Sequence, residues 1–360
     1  MKIILLWQGL IEIGLSFLAA LFIFFISFKF FSLLTKNIDE NREINNNNVA
    51  ISIVVSTFIL GIMFMVRSAI GSSMDTLSTI MNTQQVEVSQ VLFSLLRILL
   101  FFLLSSVFAF IILWFTLKAF MILTTNIDEW KEIKQNNVSI SIIMGTLLLS
   151  STLLLSSPLA TLLDGMVPPP LLIIGEIQKA QPIFNTAVIL KGAIQLCITL
   201  AGIILTFFLS FTAFKLSTKK IDDTSELKAD NTAIAVLLSS FILGIMLMMQ
   251  SVIGPADQTL HFALNANKQV VAAVFFAILR IFAFFIGTAI FAFILLQLAM
   301  RLFMLIFSKI DEIAAIKKNN LAVSIIIAVL IISIALIFQH GISSILGTWV
   351  ASPQVGSGIL

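Results

Sequence analysis

The sequence predicts an all-α integral membrane protein with eight transmembrane helices. These come from four parallel two-helix repeats in two pseudo-symmetric halves. Three observations predict it: an apolar composition, a motif that recurs four times in register, and polar residues that bracket each apolar run at membrane thickness. Of 360 residues, 59% are hydrophobic and 11% charged, and the mean hydropathy is +1.11. A soluble domain of average usage is about a quarter charged, because its surface must face water. Here 21 basic and 18 acidic side chains are too few to cover a globule of this size. Phe occurs 33 times and Tyr never, which suits hydrocarbon better than a wet surface. The composition excludes a cytosolic enzyme, a secreted disulfide scaffold and a disordered chain. Cys197 is the lone cysteine and His261 and His340 the only histidines, so no Cys/His cluster has metal spacing. No metal and no cofactor is expected.

The repeat is visible in KNIDENREINNNNVAISI from Lys36, TNIDEWKEIKQNNVSISI from Thr125, KKIDDTSELKADNTAIAV from Lys219 and SKIDEIAAIKKNNLAVSI from Ser308. The closing asparagines Asn48, Asn137, Asn231 and Asn320 stand 89, 94 and 89 residues apart. Alternate copies match more closely. FILGIMFMVRSAIG from Phe58 returns 183 residues later as FILGIMLMMQSVIG. A unit of about 90 residues that doubled twice accounts for both spacings. The halves are expected over 1–166 (units near 1–75 and 90–165) and 183–360 (units near 183–257 and 272–350). The connection 167–182 is stiffened by Pro168, Pro169 and Pro170.

Each first helix is bracketed by Gln8, Arg97, Lys191 or Arg280 at one end and Lys29, Lys118, Thr212 or Arg301 at the other. The twenty residues between rise about 30 Å, the thickness of the hydrocarbon core. Arg97, Lys191 and Arg280 therefore read as boundary residues that snorkel to the headgroups rather than as a transport relay. Glu12 is the one acid inside the boundary, and no unit places a charge near the midplane.

The loop that follows reads in two parts. Asn37 and Asn126, each three residues before a Glu, fit a helix capping box. The apolar residues after them fall at helical spacing and predict a short amphipathic helix on the membrane surface. The terminal Asn48, Asn137, Asn231 and Asn320 then suit the caps of the second membrane helices. The functional alternative to capping is a ring: Asp39, Asp128, Asp222 and Asp311 with the four asparagines around a pseudo-fourfold axis, as at a cation-selecting pore mouth. Fourteen Lys and Arg against twelve Asp and Glu on that side make a near-neutral rim, which weighs against the pore mouth.

The second helices carry small-xxx-small pairs (Ser52 and Ser56, Ser141 and Gly145, Ala235 and Ser239, Ser324 and Ala328). One further position holds Gly61, Ser150, Gly244 and Ser333. These allow close helix approach, either as packing or as the lining of a narrow path. Beyond the second helices, 71–90 and 254–273 match, and Met74, Leu77, Ile80 and Met81 suggest an interfacial helix. Two helices per unit return every copy to the same side, so the repeats are parallel. Fourteen of the 21 Lys and Arg lie on the motif side, which places those loops in the cytoplasm and both termini outside.

The segments NNNNVAISIVVSTFILG, NNVSISIIMGTLLL, DNTAIAVLLSSFILG and NNLAVSIIIAVLII resemble the signature of the YjfL-like family of bacterial inner-membrane proteins (domain of unknown function 350). The resemblance implies two tandem copies of a four-helix member, fused as a pseudo-dimer in a bacterial cytoplasmic membrane. It implies no activity and no catalytic residue. No nucleophile–base set stands out either. The expected function is a membrane scaffold or envelope-stress component without catalytic activity. Its expected partners are the lipid bilayer and a cytoplasmic protein, with further oligomerisation open and no nucleic acid. The alternative is a channel or facilitator along the small-residue face.

Overall fold

The computed structural model describes residues 2–35, 38–81, 88–124, 127–167, 185–218, 223–265, 270–307 and 311–350. Thirteen helices fill them, and no strand occurs among the described residues. The first unit comprises α1 (Lys2–Leu34), α2 (Glu40–Asn45) and α3 (Val49–Met81). The second has α4 (Val88–Leu123), α5 (Glu129–Lys134) and α6 (Val138–Met166). The third has α7 (Thr186–Ser217), α8 (Asp223–Lys228), α9 (Thr232–Gln250) and α10 (Ile253–Leu264). The fourth has α11 (Val270–Ile306), α12 (Glu312–Lys317) and α13 (Leu321–Thr348). Eight segments are long and apolar enough to cross a membrane, one per long helix, with α9 and α10 sharing one. Helix is the form such runs take in lipid, because each backbone N–H and C=O is satisfied within the segment. The three prolines expected to stiffen the connection lie outside the described residues, as does the side chain of Glu12.

The second helices form an inner row in chain order, α3 on α6, α6 on α9 and α9 on α13. The first helices lie in the grooves of that row: α4 against α3 and α6, α7 against α6 and α9, α11 against α9 and α13. Burial follows the layers, with 78% of the Thr232–Leu264 span buried against 17% of Phe17–Leu34. Equivalent aromatic contacts join the layers in both halves. Phe31 meets Phe58 edge-on at 5.5 Å and Phe214 meets Phe241 at 6.2 Å.

The row is open. Helices α3 and α13 stand at its two ends instead of closing the ring weighed from the sequence. Repeats that meet their neighbours in one fixed way close only if the rotation between them divides the circle. Among the described residues of 71–90 no separate interfacial helix forms: α3 runs on to Met81, with Leu77 and Ile80 buried. In the second half the helix breaks just before the matching stretch, at Ser251 and Val252. Pro255 explains the difference, because it offers no N–H to Ser251 and its ring crowds that carbonyl. Its counterpart in the first half is Ser72.

Candidate functional site

The repeated motif folds into four loops joined along one edge of the bundle. Three of the four six-residue helices, α2, α5 and α12, are capped by the motif Asp. Asp39 Oδ1 accepts from the Arg42 amide at 3.1 Å, Asp128 Oδ1 from Lys131 at 3.2 Å and Asp311 Oδ1 from Ala314 at 3.0 Å. Asp222 lies outside the described residues, and so do Asn37 and Asn126, the expected caps. The cap thus sits two residues later than the capping-box reading placed it. Asp39 and Asp311 have the extended backbone of a cap and a carboxylate short enough to reach the third amide.

The Glu beside each of these caps, Glu40, Glu129 or Glu312, is buried instead, and the first two meet the hydroxyls of Thr35 and Thr124 in short contacts. Thr124 has one hydroxyl proton and a second acceptor, the Phe120 carbonyl at 2.8 Å. Burial pushes the Glu129 carboxyl above its ordinary range, while the Thr124 contact opposes the shift. A protonated Glu129 can donate to Thr124 while Thr124 donates to Phe120.

With its folded pKa above the unfolded one, Glu129 contributes stability at low pH that is lost as pH rises through the folded value. Glu129→Gln should therefore leave the protein relatively more stable near about pH 8 than near about pH 5 when each is compared with wild type. Detergent unfolding at the two pH values checks this, and a pH-independent difference would refute it.

Each short helix ends in a left-handed residue: Asn47 (φ 60°), Asn136 (63°), Asp230 (56°) and Asn319 (58°). Asn and Asp tolerate this region better than other L-residues with a Cβ. The reversal lets the next amide bond back five residues. Asn48 N–H donates to Glu43 O at 3.0 Å, as do Asn137 to Glu132 at 3.0 Å, Asn231 to Glu226 at 3.0 Å and Asn320 to Ala315 at 2.9 Å. The closing asparagines then cap the second membrane helices through Oδ1, from Ile51 (3.0 Å), Ile140 (3.1 Å), Ile234 (3.2 Å) and Val323 (3.4 Å).

The amide ends of these asparagines reach the following unit. Asn48 Nδ2 donates to Ile133 O at 3.1 Å, Asn137 Nδ2 to Leu227 O at 2.9 Å and Asn231 Nδ2 to Ile316 O at 3.1 Å. Each also donates to a carboxylate of its own loop: Glu43 (2.9 Å), Glu132 (2.9 Å) and Glu226 (3.0 Å). In return, the left-handed residue of each following unit caps the preceding helix. Asn136 Oδ1 accepts from the Ala50 amide (3.1 Å), Asp230 Oδ1 from Ser139 (2.8 Å) and Asn319 Oδ1 from Ala233 (2.9 Å). Adjacent side chains of one loop thus cap two different membrane helices. Sequence reasoning missed the first of them, although an Asn or Asp precedes the closing Asn in all four copies. Between the first two loops lies a cleft of about 410 Å³ lined by Leu34, Thr35, Ile38, Trp130 and the charged Asp128, Lys131 and Lys134.

At the opposite ends of the helices the expected snorkelling is corrected for two residues. Arg97 is buried, paired with Asp164 at 2.8 Å, bonded to Val167 O at 2.9 Å, and stacked 4.7 Å from the Phe101 ring. Lys191 pairs with Asp257 at 2.8 Å, which also accepts from Gln195 at 2.9 Å. Asp164 comes from the far end of α6 and Asp257 from α10, which packs against α7.

The shared small-residue position is filled by packing in three units. Gly61 faces Thr152 and Leu113, Gly244 faces Ile331 and Leu296, and Ser150 is buried with its hydroxyl on Thr146 O at 2.6 Å. Ser333 is exposed. Among the described residues no group of three His, Cys, Asp or Glu could hold a metal ion.

Three segments of the chain, 5–105, 91–174 and 187–342, match the family described as Domain of Unknown Function (DUF350). The chain belongs to that family. The matches repeat along it, consistent with tandem copies of the family unit. No curated protein and no solved structure matches the chain.

Proposed function

We propose that this polytopic member of the DUF350 family is a non-enzymatic scaffold of the bacterial cytoplasmic membrane, with its loop edge offered to a cytoplasmic protein. The observation that carries the reading is the belt itself: the loop asparagines tie successive units together instead of lining an opening. Packing at Gly61, Ser150 and Gly244 supports it against the channel or facilitator reading, which needs that face free. The bias of Lys and Arg supports a cytoplasmic loop edge with both termini outside.

Reconstitution into vesicles tests the proposal. Ion and small-solute efflux should equal that of protein-free vesicles, before and after Gly61→Leu or Gly244→Leu. Efflux from the wild-type protein that these variants abolish would overturn the scaffold and establish a path. Orientation is checked with Asn320→Cys in intact cells, where labelling by an impermeant thiol reagent would place the loops outside.

A further inference from the structure

The three junctions between units are built alike, and each has two halves. The forward half is the amide of the closing Asn, the second backbone amide of the membrane helix and one face of that helix. The backward half is the carbonyl end of the next short helix, its left-handed side chain and its buried apolar residue. Because the row is open, one forward half and one backward half remain unused, at opposite ends of the same molecule.

At the fourth unit, Asn320 is exposed, whereas Asn48, Asn137 and Asn231 are 4%, 5% and 4% exposed. Its loop carries Ala315 where the others carry Glu43, Glu132 and Glu226, so the Asn320 amide lacks the acceptor found in its own loop elsewhere. Ala322 is exposed although Ala50, Ser139 and Ala233 are buried. The same face of α13 continues through Ile325, Val329 and Ser333, all exposed.

At the first unit, Ile44 is 41% exposed, while Ile133, Leu227 and Ile316 are 0%, 3% and 0% exposed. Asn47 makes no helix cap, unlike Asn136, Asp230 and Asn319. Ser56 is exposed where Gly145, Ser239 and Ala328 are buried by the preceding helix. Helix α1 completes the pattern: unlike the other first helices, it has no preceding second helix to lie against.

We infer that copies of this chain associate head to tail in the membrane, the fourth unit of one against the first unit of the next, through another instance of the internal junction. The occupant is a second copy because the chain's own units already fill each half three times with matched hydrogen bonds. By equivalence, Asn320 Nδ2 donates to the Ile44 and Asn45 carbonyls of the neighbouring copy, and its Asn47 Oδ1 accepts from Ala322 N–H. Such a contact is heterologous, so it grows into a ring or a row according to the rotation per copy. The inference holds whether the protein is a scaffold or a channel.

The test uses the full-length protein in native membranes, with Cys197→Ser as background because Cys197 is exposed. One tagged chain carries Asn320→Cys, and a differently tagged chain carries Asn45→Cys. Oxidation should join the two chains, and a chain carrying both substitutions should give a ladder of disulfide-linked multimers. Subunit counting by photobleaching in native-lipid discs provides a readout independent of cysteine. Wild type should count above one copy, and Ser333→Trp, placed on the open face, should shift the count toward one. Wild-type counts of one would overturn the inference. Disulfides joining two Asn320→Cys chains to each other would do so too, since they would show a symmetric contact.

Discussion

Asn137→Ala should destabilise the protein several times more than Asn320→Ala. Both remove a helix cap, an effect of about 1 kcal/mol. Within one chain, only Asn137 of the two also donates across a unit boundary, with Nδ2 at 2.9 Å from the buried Leu227 O, and it donates to Glu132 Oε2 of its own loop at 2.9 Å. Removing that amide strands a carbonyl and a carboxylate at a buried junction, at about 1–3 kcal/mol for the unpaired group. The expected loss is about 2–4 kcal/mol for Asn137→Ala and about 1 kcal/mol or less for Asn320→Ala. Asn137→Asp should not rescue. It keeps the cap acceptor but replaces two donors by a charge facing carbonyl oxygen. The left-handed position has the opposite requirement, since only its acceptor is used, and there Asp230 serves as well as Asn. Midpoints of detergent-induced unfolding decide the matter, and equal losses for Asn137→Ala and Asn320→Ala would remove the junction from the account.

That contrast shows where the sequence could be read and where it could not. The helix pairs were legible because polar brackets recur at membrane spacing. The closing asparagines read as caps because a cap is a local relation of three residues. Their second role was hidden, because the acceptors lie 85 to 90 residues away on another unit. Arg97 looked like a snorkelling side chain for a similar reason. Its partner Asp164 is 67 residues along, and only the packing of α4 on α6 brings them together. The sequence also left ring and row open. A repeat states that each unit meets the next in one way, while the rotation between them depends on the summed shape of two helix layers. The break between α9 and α10 was within reach, since Pro255 stands where the first half has Ser72.

Gly192→Val is expected to have the largest effect of any single substitution at a helix interface. Helices α6 and α7 join the two halves, and they approach until backbone meets backbone. A Cβ at Gly192 would stand 2.5 Å from both the Leu162 nitrogen and its Cα, and one at Gly165 would stand 2.5 Å from the Ile189 nitrogen. The Asn185 amide donates to Gly165 O at 2.9 Å across the same contact. A flexible side chain could move aside, but these are backbone atoms of two helices, so the helices themselves must separate. Overpacking of this kind costs about 1–3 kcal/mol in a core that can adjust. In lipid no hydrophobic drive pulls the helices together again, so lost packing is not recovered elsewhere. A loss of about 3 kcal/mol or more is expected for Gly192→Val. Gly14→Ala and Gly287→Ala, where nothing lies within 4 Å, should be neutral or gain up to about 1 kcal/mol from helix propensity. Unfolding midpoints of the three variants provide the comparison. If Gly192→Val were tolerated, the α6–α7 contact would not set the relation of the halves, and the α6–α9 packing with the Asn137–Leu227 bond would have to hold them. In that case Asn137→Ala should cost more than Gly192→Val, so the two substitutions together identify which contact carries the joint.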